Sequence, residues 1–246
     1  MTLPYEMYVD TIEEEAERIG DLAELGTKVT IRTVLGGDLD TLLAHLADVY
    51  RRASSRLGGD LDGATTAHQR AGETALAVLE GSRTELVSLL RACVAGDLCS
   101  FGDELELTAG ELARQLAHET AIHRVDAELA RGPASAIDPE LAADGVDERL
   151  NVDLARRLEG VEAPSLGGSI CLICSDQADA WSVEVHRGRY QVRPGRRPAD
   201  AAVVAPASDL FRFSWNRPTA RPLQVTGRLA VVEAWQALPG ENIGRE

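Results

Sequence analysis

The segment 108–132, TAGELARQLAHETAIHRVDAELARG, limits what this chain can fold into more than any other stretch. It has the signature of one amphipathic helix. Thr108 and Glu111 form a Thr-x-x-Glu capping box at its start, and Gly132-Pro133 stops it. Glu119 and His123 are spaced i, i+4 on it. At about 100° per residue their side chains stack one turn apart, about 40° apart around the axis. A carboxylate and an imidazole so placed can grip a metal ion if another helix brings a third ligand.

The rest of this helix sorts into two stripes. Leu112, Leu116, Glu119, His123 and Ala130 share one, and His118, Ile122, Val125 and Leu129 share another about 100° away. The string HETAIH is therefore not the HExxH zinc-protease motif, because its two histidines are five apart and diverge. The third ligand is expected from His45, on a helix near 39–57 whose apolar face holds Leu42, Leu46, Val49, Ala53 and Leu57. His68 is a weaker choice, near a helix start among Thr and Gln. His186 falls at a hairpin turn facing solvent. On these residues alone a second reading stays open: a core histidine hydrogen-bonded to Glu119 with no cation. A buried glutamate without a cation costs several kcal/mol, and a third inward-facing His on a separate helix adds weight to the metal.

Charge bounds the partners. The 246 residues carry a net charge of -15, with Lys28 the only lysine. Residues 1–165 hold 15 basic and 32 acidic residues, whereas 166–246 hold 10 and 8, so the chain divides into two regions of different character. The excess negative charge argues against nucleic acid as a partner. No apolar run approaches the ~20 residues that span a bilayer. The acidic N-terminus lacks the basic and apolar regions of a secretory signal. Arginine-dominated cations with abundant Ala, Gly and Leu suggest a GC-rich bacterial genome.

Periodicity predicts an α+β protein. Helices are expected over 5–26, 39–57 (capped by Asp38 or Asp40 and ended by Gly58-Gly59), 65–94 with a break near Gly81-Ser82, and 108–131. These make a four-helix bundle. A shorter helical stretch, 139–159, leads out of it. The boundary is placed at 164–168, giving domains 1–163 and 164–246. Beyond it the period changes to strands at 169–175, 181–185, 190–193, 201–205 and 223–226, with helices at 207–215 and 228–238. Cys171 and Cys174 lie in a buried strand, where an odd offset sends their thiols to opposite faces. With Cys93 and Cys99 they read as core cysteines of a reduced, cytoplasmic protein. Trp181, Trp215 and Trp235 read as core rather than as a substrate platform.

The string LARQLAHETAIHRVDAELARG resembles the mycothiol-dependent maleylpyruvate isomerase family of the DinB-like superfamily, whose helix typically reads "AHETAVHRWDAE". DLDTLLAHLADVYRRAS is similar to that family's "LVAHLGGVHRWA" helix. DAWSVEVHRG, PADAAVVAPASDLFRFSWNRP and PLQVTGRLAVVEAWQA resemble its C-terminal domain. Two departures stand beside the metal position and bear on the substrate: TVLGGD replaces the family's "PGW" segment, and Val49-Tyr50-Arg51-Arg52 replaces "VHRW".

The resemblance implies a DinB-like bundle in which His45, Glu119 and His123 bind a divalent metal, usually zinc, in an actinobacterial protein. It implies mycothiol as the thiol cosubstrate and a small electrophile as the other partner, with the protein a monomer or homodimer. Metal coordination deprotonates a thiol whose free pKa is near 8.5, giving a thiolate nucleophile for isomerisation or S-transfer. In the isomerase case the thiolate adds to a cis-alkene, the adduct rotates, and elimination returns the thiol and the trans product. A dicarboxylate substrate would need cations, for which Arg217 and Arg228 are the candidates; surface ion pairing is the alternative for each. Arg124 is expected to brace Asp126 or the domain interface. Two further classes stay open: a metal-binding regulatory or sensor module, and a metal-dependent hydrolase using activated water.

Overall fold

Helix α1 (Tyr5–Glu24) buries Tyr8, Val9, Ile12, Ala16 and Ile19 on one stripe, with Glu15 buried beside them and Glu6, Glu14, Glu17 and Glu24 turned outward. The computed structural model describes residues 2–33, 37–58, 74–99, 106–158, 166–186 and 189–238. His68, the expected first turns of the third helix, Pro164 with Ser165, and the 187–188 turn lie outside these residues, as does the side chain of His186.

Helix α2 (Leu39–Arg56) starts where Asp38 accepts a hydrogen bond from the Thr41 N–H. It stops at Gly58, whose φ of 84° suits a residue without a Cβ. Helix α3 (Ala75–Ala92) is capped by Thr74 and runs unbroken through Gly81, so the expected interruption is not there. A two-stranded antiparallel ribbon, β1 (Leu98–Cys99) with β2 (Leu107–Thr108), precedes α4 (Ala109–Leu129). Both halves of the Thr108–Glu111 capping box form at the start of α4. Helix α1 packs on α4 and α2 on α3, completing the four-helix bundle.

The chain divides into two compact units between Ser135 and Ala136. The expected boundary at 163/164 thus differs from the observed division by the helical stretch that begins at 139. Helix α5 (Pro139–Glu148), a π-helical turn (Arg149–Asp153) and α6 (Leu154–Arg157) belong with the second unit. The reason is packing: α5 lies against α7 (Ala207–Ser214), and the Ile137 N–H donates to Ser208 Oγ at 3.0 Å. The Trp181 indole donates to Asp147 at 3.0 Å. Helical periodicity identifies such a segment without saying which unit its apolar face joins.

The sheet of the second unit has the order β5 (Arg189–Pro194), β4 (Ala180–His186), β3 (Ser169–Cys174), β6 (Ala201–Ala205), β7 (Gln224–Gly227). β3 and β6 are parallel, and the other pairs are antiparallel. At Gly227, φ is 85° and a Cβ would collide with the Asp200 carbonyl, so only glycine fits. Helices α7 and α8 (Leu229–Gln236) pack over the central strands, with Phe213 stacked on Trp235. Trp181, Trp215 and Trp235 are all buried. Cys171 and Cys174 are buried free thiols, and burial pushes the Cys174 thiol up to about 12. The chain is therefore α+β, a helical bundle followed by a small mixed unit. No described helix is long and apolar enough to cross a membrane.

Candidate metal centre

Three predicted ligands come together in the bundle. His45 arrives from α2, and Glu119 and His123 arrive from adjacent turns of α4. Each residue offers one donor atom, and these atoms all lie within 4.8 Å of one another. His45 Nε2 is 3.3 Å from Glu119 Oε1. The rings of His45 and His123 meet edge to face, 5.2 Å between centroids at 81°. Metal–ligand bonds of about 2.0–2.1 Å in a tetrahedral site imply neighbouring donors about 3.3 Å apart. The spacing of His45 and Glu119 has that value, so this donor set fits a divalent cation with a small closure around it.

The site is asymmetric. His123 and Asp126 have no exposed side-chain surface, whereas the His45 and Glu119 side chains are 18% and 23% exposed. One side of the triad is therefore sealed and the other is reached by solvent, which suits a site with protein ligands and open positions. Asp126 Oδ2 lies 3.1 Å from His123 Nδ1. That carboxylate favours the Nδ1–H tautomer and so directs the Nε2 lone pair toward a ligand. The i, i+3 spacing of His123 and Asp126 carried this signal in the sequence. The alternative, a core histidine hydrogen-bonded to Glu119, is not what the structure has: His45 Nε2 is buried 3.3 Å from Glu119 Oε1 without a hydrogen bond, and His123 pairs with Asp126.

The other nominated residues lie elsewhere. His118 is fully buried on the second stripe of α4, edge-on to the Tyr8 ring at 6.0 Å. Arg124 is buried and bonds Glu15 Oε2 at 2.6 Å, Glu128 Oε2 at 2.8 Å and the Ser135 carbonyl at 2.9 Å. It thus ties α1 to α4 and to the end of the bundle. Burial works against its charge, but Glu15 and Glu128 outweigh it and raise the pKa. Glu15 carries no signal of its own in the sequence because it is one of six glutamates on α1, and its burial depends on α4. In the second unit Arg217 is buried and donates to the Trp215 carbonyl at 2.9 Å. Arg228 is exposed, donates to the Gly167 carbonyl at 3.0 Å and lies 3.7 Å from Asp200.

No protein-family model matches the chain, and no curated protein sequence matches it. Solved structures do. A crystal structure of the mycothiol-dependent maleylpyruvate isomerase superposes with a TM-score of 0.62 at 14% identity, covering 92% of this chain and 95% of that one. The structure of a histidine-to-alanine mutant of that enzyme gives a TM-score of 0.60 at 13% identity over the same shares. The likeness extends over nearly the whole of both chains and establishes a shared fold.

Proposed function

We propose that this protein is a metal-dependent, thiol-using isomerase or S-transferase that acts on a small electrophile, with mycothiol as the thiol. The observation that carries the proposal is the convergence of His45, Glu119 and His123 from two helices. The shared fold with a mycothiol-dependent isomerase supports the choice of thiol chemistry. His45, Glu119 and His123 would hold the ion, zinc by preference for this donor set. Bound there, a divalent ion supplies Lewis acidity that keeps a thiol deprotonated at neutral pH.

The chain's own residues do the rest. Asp126 fixes the tautomer and ring orientation of His123 from the sealed side. The partly exposed edges of His45 and Glu119 leave the approach for thiol and electrophile. Arg217 and Arg228 are the groups we assign to a carboxylate of the substrate, since a guanidinium can grip one bidentately.

The test is metal analysis of the purified protein, followed by turnover of a cis-alkene dicarboxylate with and without mycothiol. One divalent ion per chain, thiol-dependent turnover, and loss of both in His45→Ala are expected. Absence of a stoichiometric ion, or full activity in His45→Ala, would overturn the proposal. Turnover that needs metal but no thiol would mark a hydrolase. Metal-linked partner binding without turnover would mark a sensor.

A further inference from the structure

We infer that the buried hydrogen bond between Tyr50 and Thr120 is a strut that sets α2 on α4, so that His45 meets Glu119 and His123. Tyr50 and Thr120 are then positioning residues of the metal site. The inference rests on reading the triad as a metal centre, and the experiment below keeps the two apart.

Tyr50 is fully buried on α2, and its hydroxyl is 2.8 Å from Thr120 Oγ1. Thr120 Oγ1 in turn donates to the Leu116 carbonyl at 2.7 Å. The threonine proton is thereby committed, so the phenol is the donor of the first bond. A continuous path runs from α2, through Thr120, into the backbone of α4. Thr120 is the immediate neighbour of Glu119. Burial pushes the Tyr50 phenol up against the opposing bond to Thr120, and the nearby Glu119 charge adds to the rise. The phenol therefore stays protonated and donating across the ordinary pH range.

His45 and Tyr50 are about 7.5 Å apart along α2 at 1.5 Å per residue. Polar contacts at two heights fix both the slide and the rotation of one helix on the other. Apolar packing alone is non-directional and tolerates rotation, whereas a hydrogen bond has a preferred line. The His45–Glu119 approach, at 3.3 Å, makes no hydrogen bond and is weak as a lone restraint. Ligand sets demand placement within about 0.5 Å, which the buried strut can supply.

The experiment uses the full chain with Co(II) as probe. Tyr50→Phe keeps the buried ring and deletes the hydroxyl, Thr120→Ala deletes the acceptor, and Thr120→Ser restores it. Three quantities are read: Co(II) affinity by chelator competition, the visible ligand-field spectrum, and ring-proton NOEs between His45 and His123 in metal-free protein. Tyr50→Phe and Thr120→Ala should bind Co(II) at least roughly tenfold more weakly, with shifted bands and unchanged far-UV circular dichroism. Thr120→Ser should behave as wild type, and the double variant should be no worse than either single one. Wild-type affinity and spectrum in a folded Tyr50→Phe protein would overturn the strut and leave the proposed function standing. Should Tyr50→Phe not fold, Thr120→Ala decides by the same readings. If the wild-type protein binds no divalent ion, the proposed function fails and the metal-free NOEs decide the strut: their loss in Tyr50→Phe supports it, and their retention overturns it.

Discussion

Asp126 Oδ2 sits 3.1 Å from His123 Nδ1, and neither side chain has any exposed surface. A carboxylate sealed from water persists only with a partner that repays its desolvation. Here the partner is the ring of His123, which also belongs to the cluster with His45 and Glu119. Asp126→Asn keeps the shape and removes the charge that raises the basicity of the ring. Affinity for Zn(II), measured by chelator competition, should fall by about 10- to 100-fold while the far-UV spectrum is retained.

His118 lies on the stripe of α4 that faces away from the triad. It is as buried as His123 yet packs against Tyr8. His118→Phe should lower the melting temperature and leave one divalent ion bound per chain, as read by elemental analysis. Loss of the ion together with retention of the fold would overturn the assignment of ligands.

Much of the bundle was legible because its signals are local. The capping box at Thr108, the cap at Asp38 and the i, i+4 pair on α4 depend on residues within a turn or two, and each sits where periodicity puts it. The union of His45 with Glu119 and His123 required only that two apolar faces meet. What escaped was set by distant partners. The apolar side of α5 could have joined either unit, and it joins α7 through tertiary packing. The π-helical turn at Arg149–Asp153 places Arg149 over the Trp215 ring, 4.4 Å from its centroid, a contact across more than sixty residues with no local signature. Glu15 became a buried partner of Arg124 in the same way.

Arg124 makes a strong prediction for stability. Its side chain is fully buried between Glu15 and Glu128. Arg124→Met removes the buried cation from Glu15 and Glu128 and leaves them the half-exposed Arg18, 3.7 Å from each, in a poorly solvated place. Breaking such a pair costs about 3–5 kcal/mol, against the 5–15 kcal/mol of a typical domain. Urea denaturation should show a large fall in midpoint. A change within about 0.5 kcal/mol would mean that the network contributes nothing.

The substrate arginines should separate by readout. Arg228 has 59% of its side chain exposed, so Arg228→Met should leave the melting temperature unchanged. Arg217 is buried against the Trp215 carbonyl, so Arg217→Met should lower it. If either group grips a substrate carboxylate, its variant should raise KM or lower kcat/KM for the dicarboxylate, with metal content unchanged. Wild-type kinetics in both variants would remove them from the site.

Glu128 gives the acid limb of stability a defined origin. Burial pushes its carboxyl up, but Arg124, with the N–H and hydroxyl of Ser135, outweighs burial and holds it below the ordinary value of 4.5. A carboxylate whose folded pKa is depressed binds fewer protons when folded than when unfolded. Its contribution is therefore present in full above pH 4.5 and is lost as the pH falls through the lower, folded value. Glu128→Gln should destabilise the protein at neutral pH and flatten the decline below pH 4.5, measured as urea midpoints from pH 7 down to pH 3. An acid decline as steep in the variant as in the wild type would assign it to other carboxylates.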